Sequence, residues 1–203
     1  MNSNPEEYSL FLKRVLTPPR YQHSLGVMNV MGELSKVYQL DRTKARMAGL
    51  LHDAARDFEL QQLLTLADEA KITIFHPCEQ HPVYLHALVS AYLVSKELGI
   101  TDKLVLDAIS THSYVDAGDN FNALFSRCLR AADILSPVQE WRGMRKLKSI
   151  VYAGRIEEAA LLQSGWLVEY FEEQCIPVHP NLAKSFQVLS AKLSVTDSFF
   201  ERW

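Results

Sequence analysis

Apolar side chains recur three and four residues apart through nearly the whole chain, and this period constrains the fold more than any other feature of the sequence. Between Tyr21 and Leu40, for example, Leu25, Met28, Met31, Leu34 and Tyr38 trace one face of a helix. Alternating strand-like runs are absent and glycines number only eight, so the expected fold class is all-α, with nine or ten helices. At 203 residues and 48% hydrophobic composition, the chain has enough apolar surface for one substantial core.

Local signals divide the helices. Thr17-Pro18-Pro19 precedes the first clear segment, which His23 opens, and Asp41 can cap a second segment that ends near His52-Asp53. A short helix is expected around Leu60 to Ala70. Pro77 and Pro82 bracket a polar loop before a helix over Val83 to Leu98, closed by Gly99 as a left-handed cap. Thr101 can cap the helix that carries His112, and Phe121 to Leu135 forms another, on which Phe125, Leu129 and Asp133 share a stripe. From Arg142 to Leu193, helical stretches are expected to break near Gly154, Gly165 and Pro177 to Pro180.

Several function classes drop out on composition. With 21 basic and 24 acidic side chains the net charge is -3, which gives no footprint for a nucleic acid polymer or an anionic membrane. Three cysteines without zinc-type spacing argue against a disulfide framework and for a reduced, cytoplasmic setting. No export signal or stretch of about 18 apolar residues is found, so no membrane association is expected. His76, Cys78 and His81 fit no common metal spacing and read as loop, and His179 reads as structural.

The pair His52-Asp53 stands among Leu50, Leu51, Ala54 and Ala55, where an ionised carboxylate needs a compensating partner. His23, His86, His112 and Asp133 lie on inward faces of four other helical segments. Mixed imidazole and carboxylate ligands suit first-row metals, and six exceed what one ion with open positions requires, so two ions are expected. A dinuclear centre supports hydrolysis at phosphorus.

The run Arg20-Tyr21-Gln22-His23-Ser24, Ala48-Gly49-Leu50-Leu51-His52-Asp53, Leu85-His86, Ala108-Ile109-Ser110-Thr111-His112 and Ala131-Ala132-Asp133 resembles the HD-domain superfamily of metal-dependent phosphohydrolases. Within it the chain is similar to the symmetrical bis(5'-nucleosyl)-tetraphosphatases, a likeness that Arg145-Lys146-Leu147 and Val178-His179-Pro180-Asn181 extend, over about Pro18 to Lys184. The resemblance implies an HD-domain helical bundle at 18–140, an N-terminal helical extension at 1–17 and additional C-terminal helices at 141–203 packed on the same domain.

It further implies that His23, His52, Asp53 and Asp133 hold one ion, that His86, His112 and the second oxygen of Asp53 hold another, and that Asp53 bridges them. Iron is the first candidate, with manganese, nickel, zinc or magnesium as others. The implied reaction is symmetrical hydrolysis of diadenosine tetraphosphate to two ADP by a metal-bridging hydroxide, with Asp53 and Arg56 as catalytic residues. Arg20, Arg56 and Ser113 are the candidate phosphate contacts. The alternatives are an HD phosphohydrolase acting on a nucleoside monophosphate or cyclic nucleotide, and a non-catalytic nucleotide-sensing protein. The aromatic-rich C-terminal helices leave a homodimer open. The chain departs from the family pattern at Ala87-Leu88-Val89-Ser90, at Ser113-Tyr114-Val115 and after Asp133, where a phosphate-binding arginine is either missing or moved to Arg142.

Overall fold

The computed structural model describes residues 5–74, 77–114, 121–136 and 143–201. Those residues form ten α-helices and two short 3-10 turns, with no strand among them. The helices are α1 (Pro5–Val15), α2 (Pro18–Val37), α3 (Arg42–Leu51), α4 (Leu60–Glu69), α5 (Pro82–Leu98), α6 (Lys103–Thr111), α7 (Phe121–Leu135), α8 (Met144–Tyr152), α9 (Ile156–Glu173) and α10 (Pro180–Leu193). No helix among the described residues is long and apolar enough to cross a membrane.

The caps explain most boundaries. Helix α2 starts on Pro18-Pro19, whose missing N–H groups lose nothing in a first turn. Asp41 accepts a hydrogen bond from the Lys44 N–H at 3.0 Å and fixes the start of α3. Gly99, at φ 63°, closes α5 in the left-handed conformation. At the other end of α5, His81 Nδ1 accepts from the Val83 N–H at 3.3 Å, so this histidine serves as a cap. His76 lies outside the described residues, as does the Cys78 side chain.

Two sequence expectations need correction. Asp102, not Thr101, caps α6, because its carboxylate reaches the Val105 N–H at 3.2 Å. Helix α9 runs straight through Gly165 instead of breaking there. A Cβ at that position would sit 2.8 Å from the Phe200 ring, so the glycine makes room for the returning C-terminal segment. The break at Gly154 is real: its φ of 79° separates α8 from α9.

The main core gathers α1 to α9 around buried Leu12, Met31, Leu51, Leu85, Ile109 and Leu129. Tyr84 of α5 packs in a second buried cluster with Leu161 and Phe171 of α9 and Leu182 and Leu189 of α10. This cluster ties the C-terminal helices to α5. His179 reinforces it: Nδ1 accepts from the Asn181 N–H to cap α10, Nε2 meets Glu79 at 2.9 Å, and the ring stacks on Tyr114 at 4.4 Å. Helices α2 and α3 cross closely, where Gly49 rests on the backbone of Val27 and Met28.

Candidate metal centre

Five helices deliver the six candidate ligands to one place. His23 projects from α2, His52 is the C-cap of α3 with Asp53 following it, His86 belongs to α5, His112 caps the end of α6, and Asp133 lies on α7. His52, Asp53, His86 and His112 are buried. Neighbouring imidazole rings stand with centroids 4.9 to 5.4 Å apart, close enough that four charged rings would repel strongly.

Backbone carbonyls set the tautomers. His52 Nδ1 lies 2.9 Å from the Gly49 oxygen, His112 Nδ1 lies 2.7 Å from that of Ile109, and His86 Nδ1 lies 2.9 Å from that of Pro82. A carbonyl only accepts, so each Nδ1 carries the proton and each Nε2 turns a lone pair inward. His86 Nε2 and His112 Nε2 thus face each other at 3.1 Å, and both approach Asp53 Oδ1, at 3.1 and 3.3 Å. Asp53 Oδ2 faces His52 Nε2 at 3.6 Å. Asp133 Oδ1 stands 3.0 Å from His23 Nε2 and 3.6 Å from His52 Nε2.

Lone pairs converging on carboxylate oxygens require positive charge between them. His52 Nε2 makes the need explicit, since it is fully buried and meets no hydrogen-bond partner among the described residues. The donors form two groups that could each hold a cation, His23 with His52 and Asp53, and Asp53 with His86 and His112. Asp53 is common to both. Imidazole nitrogens whose opposite N–H is tied to a carbonyl are the usual arrangement of metal-bound histidines, so the residues fit a metal.

In the metal-free site a proton can take the place of the cation, and an Nε2 that gains one donates to the carboxylates instead. Burial alone would raise the Asp53 pKa, but the charge of His52 and hydrogen bonds from His112 and His86 outweigh it and hold the carboxyl well below the usual range. Burial opposes ionisation of Asp133 too, yet His23, His52 and Arg130 keep it ionised. For His52 burial favours the neutral ring, but Asp53 and Asp133 raise its pKa. Burial dominates at His112, with the charges of His52 and His86 adding to it, and the pKa is pushed down to about 4.

The ligands open onto a cavity of about 210 Å³. Arg20, Arg56 and Ser113 line it, as the sequence led us to expect, but their present partners differ. Arg20 leans toward Asp57 at 3.5 Å, and Thr17 anchors that carboxylate through its N–H and hydroxyl. Arg56 Nη1 comes within 3.1 Å of His86 Nδ1, which cannot accept while its proton is directed at Pro82. Ser113 Oγ is buried with no hydrogen-bond partner among the described residues. Arg142 lies outside the described residues.

Sequence reasoning missed Arg130, which also lines the cavity and donates from Nη1 to Asp133 Oδ2 at 2.8 Å. Its position three residues before Asp133, on the same face of α7, was the available signal. Leu167, Tyr170 and Phe171 of α9 supply an apolar wall that no chemical motif announces.

Comparison with known proteins agrees with the geometry. The HD domain family pattern matches residues 20–138. The symmetrical bis(5'-nucleosyl)-tetraphosphatase of Bacillus subtilis is 31% identical over 147 residues, covering 72% of this chain and 77% of the relative. The protein of the same name from Halalkalibacterium halodurans is 33% identical over 141 residues, covering 68% and 72%. A crystal structure from Clostridium acetobutylicum, described as a predicted HD superfamily hydrolase involved in NAD metabolism, superimposes with a TM-score of 0.85 at 24% identity, covering 94% of this chain and 98% of that one. The chain belongs to the HD-domain hydrolase family, in the group of the symmetrical bis(5'-nucleosyl)-tetraphosphatases.

Proposed function

We propose that the protein is a dinuclear phosphohydrolase that splits diadenosine tetraphosphate at its central bridge into two ADP. The observation that carries this reading is the division of Asp53: Oδ1 faces His86 and His112 while Oδ2 faces His52, so one carboxylate serves two sets of nitrogen donors. His23, His52, Asp53 and Asp133 would hold one ion, and His86, His112 and Asp53 the other. Iron is the first choice for both. Bound there, the pair would supply a water of lowered pKa and neutralise phosphate charge.

The protein's own groups have separate tasks. The Nδ1–H bonds to Gly49, Pro82 and Ile109 fix the ligand rings, so little reorganisation is needed when substrate arrives. Arg56, freed from an imidazole nitrogen that cannot accept its hydrogen bond, turns to the phosphate chain, with Ser113 Oγ as a further donor and Arg20 at the rim. Small-molecule sites commonly span about 300–1,000 Å³. A cavity of about 210 Å³ therefore suits the central phosphates, with the nucleosides extending past its mouth. Water adds at one central phosphorus, the bridging P–O bond breaks, and the second ADP leaves.

The substrate assignment draws on the tetraphosphatases to which the chain is similar. Iron-loaded protein incubated anaerobically with diadenosine tetraphosphate is expected to yield ADP as the sole nucleotide product. AMP with ATP would exclude symmetrical cleavage, and binding without turnover would favour the sensing role. Turnover confined to a monophosphate or cyclic nucleotide would move the protein to another HD activity.

A further inference from the structure

We infer that Arg130 is a phosphate-binding residue of this site, an assignment that rests on the proposed nucleotide reading and adds to its contacts. Asp133 divides its oxygens as Asp53 does. Oδ1 faces His23 and His52, whereas Oδ2 points the other way and takes a hydrogen bond from Arg130 Nη1 at 2.8 Å. The guanidinium therefore approaches the oxygen that the histidines leave free, and its place is compatible with Asp133 acting as a ligand through Oδ1.

One carboxylate oxygen does not satisfy this cation. Arg130 has a side chain only 13% exposed, and its Nε is buried with no acceptor among the described residues. A desolvated guanidinium with an unmatched donor at a cavity wall is a built receptor for a second anion, and its planar fork matches the spacing of phosphate oxygens. The ion pair with Asp133 holds the fork in place beforehand, which lowers the entropy lost on binding.

The other cavity arginines are arranged differently. Arg20 is 42% exposed at its side chain and turned to Asp57, so its charge is partly answered at the rim. Arg56 lies on the His86 side. Arg130 approaches instead from α7 beside Asp133, and thus supplies positive charge next to the His23 and His52 half of the site. The ligand class is a phosphate oxygen of a nucleotide polyphosphate chain, held against α7.

The test compares inorganic pyrophosphate binding by metal-loaded wild type, R130Q and R130K, using calorimetry, with metal content measured on the same samples. R130Q is expected to weaken binding about 10- to 100-fold at unchanged metal content. R130K, which keeps the charge but loses the fork, is expected to fall between the two. Unchanged affinity in R130Q overturns the assignment, as does a loss of metal that parallels the loss of affinity, since Arg130 would then serve only to position Asp133. If R130Q does not fold, R130K decides alone: weaker binding supports the contact and wild-type affinity refutes it. A wild type that binds pyrophosphate through Arg130 but leaves diadenosine tetraphosphate intact refutes the substrate, not the contact.

Discussion

Replacing Gly49 by alanine perturbs the centre without touching a ligand. A Cβ there would lie 2.9 Å from Met28 Cα and the Val27 carbonyl oxygen, and 3.0 Å from Met28 N. Carbon contacts favour about 3.5–4.0 Å, so α3 must retreat from α2 by several tenths of an ångström to about 1 Å. The obstacles are backbone atoms, which no rotamer change can move. Overpacking of this kind costs about 1–3 kcal/mol, while alanine returns about 1 kcal/mol of helix propensity, leaving a net loss of up to about 2 kcal/mol. For a chain of this length that lowers Tm by up to about 8 °C. The same retreat draws His52, whose ring is tied to the Gly49 carbonyl, away from His23 on α2. Ligand distances in metal sites tolerate only about 0.2 Å, so ion affinity on the His23 side is expected to fall at least about tenfold. Thermal melting and metal titration of Gly49→Ala measure both effects. An unchanged or higher Tm with unchanged metal affinity would refute the close-crossing account.

Three further outcomes are expected. In metal-free protein, nitrogen-detected NMR should show His112 neutral at pH 6.5 and titrating near 4. Its folded pKa lies below the unfolded value of about 6.5, so the stability it contributes is complete above that pH and is lost as pH falls toward 4, about 3 kcal/mol in all. His52 has the opposite sign, contributing below about pH 6.5 and fading as pH rises through its raised folded value; a His112 titration at or above 6.5 would contradict the first assignment, and a His52 titration below 6.5 the second. His112→Ala should lose the ion shared with His86 while retaining the one on the His23 side, measured as one metal equivalent per chain. His179→Ala removes the buried contact with Glu79 and the cap of α10, and should cost about 3 kcal/mol, seen as a Tm about 6–12 °C lower.

The helices and their order were legible because the apolar period, Asp41 and Gly99 act over a few residues. Gly165 was misleading because its purpose lies in Phe200, a contact 35 positions away that no local pattern encodes. Thr101 and Asp102 are adjacent residues of equal capping chemistry, and only the backbone geometry selects the second. The six candidate ligands could be gathered from sequence because four histidines and two aspartates recur on inward faces of five helical segments in the order of the HD resemblance. Arg130 escaped because an arginine at helical spacing from an acid is as often a surface ion pair, and its burial depends on how α7 meets the cavity. The turn of Arg20 toward Asp57, and the apolar wall from α9, likewise arise only when distant segments pack.

The central claim is that Asp53 joins two cation sites. Metal titration of wild type and Asp53→Ala, read as tightly bound equivalents per chain, tests it most directly. The account predicts two equivalents in the wild type and the loss of tight binding at both sites in the variant, because each donor group loses its shared oxygen. Two tight equivalents in Asp53→Ala, or a single equivalent in the wild type, would contradict it.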